Sequence, residues 1–260
     1  MTSENLTDAG LGQPGQPGPN GQPVLRPRAR RSRSIWPLVR DILVIVAVAI
    51  LISFVIKTFL VRSFYIPSGS MEQTLLVKDR ILVDELTPRF SDYERGDVMV
   101  FRDPGGWLPV STRPAQPPIV QSFDWLLSLV GITASDSEDH LIKRIIGVGG
   151  DHVVCCNALG QITVNGTPID ETSYLNLSEG QTAPRDLPYD VTVPEGSLWV
   201  LGDNRDNSQD SRYHMDQPSG GFVPVENVVG RAFLITWPLG RFGTIDFHHD
   251  VFEGVPDGNG

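Results

Sequence analysis

The chain has 260 residues, 40% of them hydrophobic, and a net charge of −10. That length and apolar content support a buried core in one large or two small domains and exclude a disordered polymer. The charge is split: six arginines against Glu4 and Asp8 leave the first forty residues at about +4 and the other 220 at about −14, so the main body has no basic face for nucleic-acid phosphates.

In chain order, residues 10–23 (GLGQPGQPGPNGQP) hold almost nothing apolar and cannot offset the entropy of ordering. With the basic cluster RPRARRSRS at 26–34, they make residues 1–34 a flexible basic tail. Residues 42–56 carry no charge, and if Lys57 lifts its ammonium to the interface the run reaches Val61. Twenty helical residues at about 1.5 Å each span about 30 Å, a hydrocarbon layer. The reading is a transmembrane helix over 35–61. A cleaved secretory signal is the competing one, but KTFLVRSFYIP offers no small-x-small cleavage pattern. Arginine excess ahead of the span, against only Lys57 and Arg62 just after it, keeps the N-terminus cytoplasmic and sends the body outside.

From Phe64 onward, short β-type runs are broken by Gly, Pro and Asp. Candidate strands lie in 79–86, 96–103, 140–148, 151–156, 161–166, 196–202 and 230–237, with a hairpin turn at 157–160. No βαβ alternation is present, so the fold class is mainly β: an antiparallel body over 62–250, with a smaller β subdomain at about 152–196 and a flexible end over 251–260. An insertion, 104–139, interrupts it. Its first part, 104–118, reads as a proline-rich loop; FDWLLSLVGI (123–132) reads as a short helix, either packed in the core or dipping into a bilayer interface beside Trp107 and Trp125. The two cysteines are adjacent, Cys155 and Cys156. Across a trans peptide their α-carbons stand about 3.8 Å apart, short of the usual disulfide span, which favours side chains on opposite faces of a strand. They make no metal site alone.

A hydrolase needs a nucleophile, a base and donors for an oxyanion. Ser70 lies in PSGSM, where Pro67 and Gly69 favour a tight turn, although such a turn is by itself an ordinary loop. None of the five histidines sits in a recognisable triad motif, and Gln73 stands where an S-x-x-K pattern would need lysine. Lys143 lies in HLIKRIIGV among Ile142, Ile145 and Ile146. Buried there it would favour a neutral amine able to take a serine proton; the alternative is that Lys143 or Arg144 points to solvent. The polar run LGDNRDNSQDSR (201–212) fails as a calcium loop, since Arg205 and Ser208 occupy positions that need a ligand and a glycine. Its paired charges suit an internally bonded turn that orients a neighbour.

Together, YIPSGSMEQTL (65–75), IKRIIGVGGD (142–151) and GDNRDNSQDSR (202–212), with GDVMVF (96–101) and VPVENVVGRA (223–232), resemble the type I signal peptidases, membrane-anchored serine proteases of exported preproteins. The resemblance covers about 35–237 apart from the insertion. It implies Ser70 as nucleophile, Lys143 as general base, and Ser68 with the Ser70 N–H as oxyanion donors. It further implies that Ser208 orients the lysine amine, that Asp203, Asp210 and Arg212 form a charged scaffold, and that Ile66 and Ile142 line shallow pockets for small residues. No cofactor or metal is implied. The partners the resemblance leads one to expect are preproteins and the lipid bilayer, not nucleic acid, with the enzyme expected as a monomer in a bacterial cytoplasmic membrane. The family often carries a disulfide near the Cys155 region. A dedicated Ser/Lys processing protease with a narrow substrate, or a non-catalytic membrane-anchored β-domain, are the alternatives.

Overall fold

In a computed structural model, residues 35–59, 61–86, 90–108, 139–177 and 187–258 are described. The expected tail over 1–34 and the apolar stretch 123–132 lie outside them. The chain divides into two units, Met1–Val46 and Ala47–Gly260.

What is described of the first unit is mainly the opening half of one helix, α1 (Trp36–Phe59). Pro37 stands in its first turn, where a missing N–H is tolerated. The window Trp36–Ser53 has mean hydropathy 2.1 and is 0% buried. The 24 residues of α1 run about 36 Å at 1.5 Å each, long enough to cross a membrane.

The second unit holds the strands. Those described are β1 (Val61–Tyr65), β2 (Arg80–Asp84), β3 (Val98–Arg102), β4 (His140–Gly147), β5 (His152–Cys155), β6 (Thr163–Val164), β7 (Thr167–Pro168), β8 (Tyr189–Thr192), β9 (Ser197–Leu201), β10 (Val223–Pro224), β11 (Val228–Trp237) and β12 (Gly243–Thr244). One antiparallel sheet has the order β1-β2-β11-β3-β4-β9-β10, with β12 on β11; a second, small one has the order β7-β6-β5-β8. The expected turn closes between β5 and β6, where Gly160 N–H donates to the Asn157 carbonyl at 3.0 Å.

Strand β3 shows why its sequence is apolar without alternation. Val98 and Val100 enter one core cluster with Phe64, Ile66, Met71 and Ile142, while Met99 and Phe101 enter another with Trp107, Ile145 and Val200. Both faces are covered, so every position but the last is buried. Strand β9 divides likewise: Leu198 and Val200 face the second cluster, and Trp199 and Leu201 face a third, which holds Val153, Ile162 and Val164 of the small-sheet region.

Four expectations are corrected. The helix ends at Phe59 rather than reaching Val61, which opens β1. Trp107 is not interfacial: it is 6% exposed, set edge-on to Phe101 and stacked on His214. The cysteines do not lie on opposite faces; a cis peptide joins them, their α-carbons are 3.0 Å apart, and their sulfurs are bonded. The C-terminal end is packed as far as it is described, with Phe252 7% exposed and Val251 and Val255 against the third cluster.

Candidate active site

Ser70 sits in the 66–79 connection between β1 and β2. Its two ends continue the strand pairing, Ile66 N–H to the Asp79 carbonyl and Lys78 N–H to the Ile66 carbonyl, each at 2.9 Å. Met71 and Leu75, both fully buried, nail the turn to the core. The serine side is thereby presented toward β4 by apolar anchors on either side of the polar tip.

Lys143 comes from the middle of β4, paired to Met99 of β3. Its Nζ lies 2.8 Å from Ser70 Oγ and donates to the Ile142 carbonyl at 3.0 Å. Both residues are buried, Ser70 5% and Lys143 4% exposed. Burial pushes the amine's pKa down from 10.5 to about 8, against the pull of Asp210 and Asp203 and with help from Arg212. An amine so placed reaches its neutral form near physiological pH beside a hydroxyl it can deprotonate. Ser68 Oγ stands 3.5 Å from Ser70 Oγ, on the rim of the same site.

The 202–212 segment backs this pair. Asn204 N–H donates to the Ser70 carbonyl at 3.0 Å, and Asn204 Nδ2 donates to Glu72 Oε2 at 3.1 Å. Asp203 accepts from Arg144 through Nε and Nη2, both at 2.9 Å, and from the Thr74 hydroxyl. Asp210 takes Arg212 Nε at 2.8 Å and Nη2 at 2.9 Å. Burial raises the Asp210 pKa, but the Arg212 contacts and the Gly202 N–H outweigh it and hold the carboxylate low. Ser208 is buried too, yet its Oγ makes no hydrogen bond of good geometry, although it lies close enough to Asp210 to help keep that group ionised. The expected contact with the lysine amine is not made, because the amine turns to the Ile142 carbonyl and Ser70 instead.

Ile66 and Ile142 are 2% and 7% exposed. With Phe64, Val100 and Leu141 they line a cleft of about 20 Å³, room for a methyl-sized group rather than a large side chain. On the edge of β4 away from β3, pairing with β9 begins only at Arg144, so Leu141, Ile142 and Lys143 have no described strand there.

Two residues escaped the sequence reading. Arg144 looked solvent-facing, as a charge in a strand usually does, but is 0% exposed. Gly202 carries no signal of its own; a Cβ there would lie 2.5 Å from the Ser70 carbonyl oxygen and 2.3 Å from Ser208 Oγ. Only its place in GDN, next to the acidic run, hinted at it.

Residues 39–237 match the family described as signal peptidase, peptidase S26. The chain is similar to Signal peptidase I of Mycobacterium tuberculosis (strain CDC 1551 / Oshkosh), 40% identical over 223 residues that cover 79% of this chain and 75% of that one. It is 38% identical over 243 residues to a Probable signal peptidase I of Mycobacterium leprae (strain TN), covering 83% and 81%. It is 36% identical over 211 residues to Probable signal peptidase I-2 of Synechocystis sp. (strain ATCC 27184 / PCC 6803 / Kazusa), covering 80% and 78%. A buried serine–lysine pair, the lysine on a strand of an antiparallel sheet and the serine in a connection of that sheet, in a chain that also holds a helix long and apolar enough to cross a membrane, thus accompanies a match over most of the chain: this protein belongs to the signal peptidase family, peptidase S26.

Proposed function

We propose that this peptidase removes N-terminal signal peptides from exported preproteins with Ser70 as nucleophile and Lys143 as its base. The observation that carries the reading is the 2.8 Å approach of a buried amine, its pKa lowered to about 8, to a buried hydroxyl. Neutral Lys143 takes the Ser70 proton as Oγ bonds to the scissile carbonyl carbon, and the Ser70 N–H and Ser68 hydroxyl hold the resulting oxyanion. Collapse breaks the C–N bond, and the Lys143 ammonium gives its proton to the leaving amine. Water, deprotonated by Lys143 in turn, then attacks the acyl ester and frees Ser70.

An extended substrate pairs along the 141–143 edge of β4, facing the 64–70 segment, through main-chain hydrogen bonds. The small cleft formed by Ile66 and Ile142 then favours small residues before the cut. Within this reading α1 spans a bacterial cytoplasmic membrane, with the N-terminus inside, the body outside, and the enzyme working as a monomer. Asp203, Asp210 and Arg212 keep the charges around the amine fixed. Mass spectrometry of a preprotein incubated with the wild-type protein and with Ser70→Ala tests it: one cut after the signal peptide is expected from the first and none from the second. The same cut by Ser70→Ala rejects the assignment.

A further inference from the structure

Arg144 follows the proposed base directly and is wholly enclosed, at 0% exposure. A guanidinium has five N–H donors and keeps its charge, so a buried one must be satisfied throughout. Nε and Nη2 go to Asp203, and Nη2 also reaches Thr74 Oγ1 at 3.2 Å. Nη1 donates to the Gly96 carbonyl at 2.8 Å and to those of Phe247 and Asp246 at 3.0 and 3.4 Å. The Tyr174 ring covers the cation at 4.3 Å, and the His248 ring packs on Tyr174 with centroids 5.4 Å apart. Residues 246–248 thus form one wall of the enclosure, although they lie beyond the 39–237 matched to the family.

That wall is fixed from elsewhere. Phe252 is buried in the cluster that holds Trp199, Val153 and Ile162. The Pro256 carbonyl accepts from Arg95 Nη2 at 3.2 Å and from Asn165 Nδ2 at 2.8 Å, and both donors also bind Asp151. The backbone fits closely as well: at Gly96, where φ is +96°, a Cβ would lie 2.4 Å from the Phe247 carbonyl oxygen.

We propose that residues 245–258 are a strap that positions the catalytic pair. Its Asp246 and Phe247 carbonyls fix Arg144, Arg144 fixes Asp203, and Asp203 holds the serine turn through Thr74, with neighbouring Asn204 on the Ser70 carbonyl. This rests on the Ser70–Lys143 reading above. The charged groups that act on Lys143 are Asp210, Asp203 and Arg212, and of these Asp203 is the one the strap controls. Once Arg144 loosens, the less neutralised Asp203 favours protonated Lys143, and the acid limb of activity moves to higher pH. The substrate cleft contains no strap residue, so KM stays.

The test uses full-length protein, with kcat counted per Ser70 acylated by a serine-directed reagent so that misfolded molecules do not enter. Gly96→Ala pushes on the Phe247 carbonyl, and Phe252→Ala removes the strap's apolar anchor. Each is expected to lower kcat roughly ten- to a hundredfold, the size of effect a small misplacement produces, at unchanged KM and with the acid limb moved upward. Phe252→Leu is expected to restore most of the loss. A wild-type kcat per site, or an unmoved acid limb, in either alanine variant overturns the strap's role. Cleavage that survives Ser70→Ala removes the dyad and the strap's role together, whereas loss in Ser70→Ala with wild-type profiles in both strap variants removes the strap alone.

Discussion

Burying an amine at position 143 works against folding wherever that amine is charged. Its folded pKa, about 8, lies below the ordinary 10.5, so between those values the unfolded chain binds more protons than the folded one. Stability therefore rises with pH across that window and rests at its lower level below it. The gap corresponds to about 3 kcal/mol at neutral pH. Lys143→Met, which keeps the side chain's length and removes its charge, is expected to abolish cleavage while raising unfolding stability at pH 7 by up to about 3 kcal/mol. It should also flatten the gain between pH 8 and 10.5. Urea unfolding at several pH values reads this directly, and a variant no more stable than wild type at pH 7 contradicts it. Ser68 carries less: Ser68→Ala is expected to lower kcat by ~10²–10³, the cost of one oxyanion donor. A loss under twofold would take Ser68 out of that role.

The segment from Gly202 to Arg212 matters through backbone fit as much as through charge. Because a Cβ at 202 would press on the Ser70 carbonyl, Gly202→Ala must displace the serine turn, and relieving Ser208 alone does not remove the conflict. The expected result is a kcat loss of about 10² from misplacement of the nucleophile, present also in Gly202→Ala/Ser208→Gly, which removes the Ser208 Cβ at 2.6 Å as well as its Oγ. Recovery of wild-type kcat in the double variant would show that the carbonyl yields. What was legible in the sequence divides along the same line. β2, β3, β4, β9 and β11 announce themselves by apolar runs, and Ser70 and Lys143 stand in motifs that read together. β8, with Tyr189 and Val191 between polar residues, and the two-residue strands β7, β10 and β12 carry too little pattern to declare themselves. Of β1 only Val61 falls within the expected span, and the remaining RSFY, with Arg62 and Ser63 side by side, carries no strand pattern of its own. Arg144 and Gly202 depend on partners more than fifty residues away, which no local window contains.

In the molecule as a whole, α1 and the strand-bearing body answer different needs. The second unit contains both Ser70 and Lys143. Under the proposed function the helix has a use, because a signal peptide's apolar stretch would share a bilayer with a helix long and apolar enough to cross one. Confinement raises the effective concentration of one for the other. A chain starting at residue 60 is therefore expected to cut a short soluble peptide at the full-length kcat, yet to process vesicle-embedded preprotein about 10²-fold more slowly at equal enzyme. Equal rates on the embedded substrate would show that the anchor adds nothing to encounter.

The pH dependence of Ser70 acylation, followed by mass spectrometry of the acyl-enzyme in wild type and Lys143→Ala, bears most directly on the whole scheme. The expected result is a rate that is half-maximal near pH 8, where the buried amine loses its proton, and that is nearly abolished in the variant. An acid limb near the ordinary lysine value, or acylation of Lys143→Ala at the wild-type rate, would contradict a neutral Lys143 acting on Ser70.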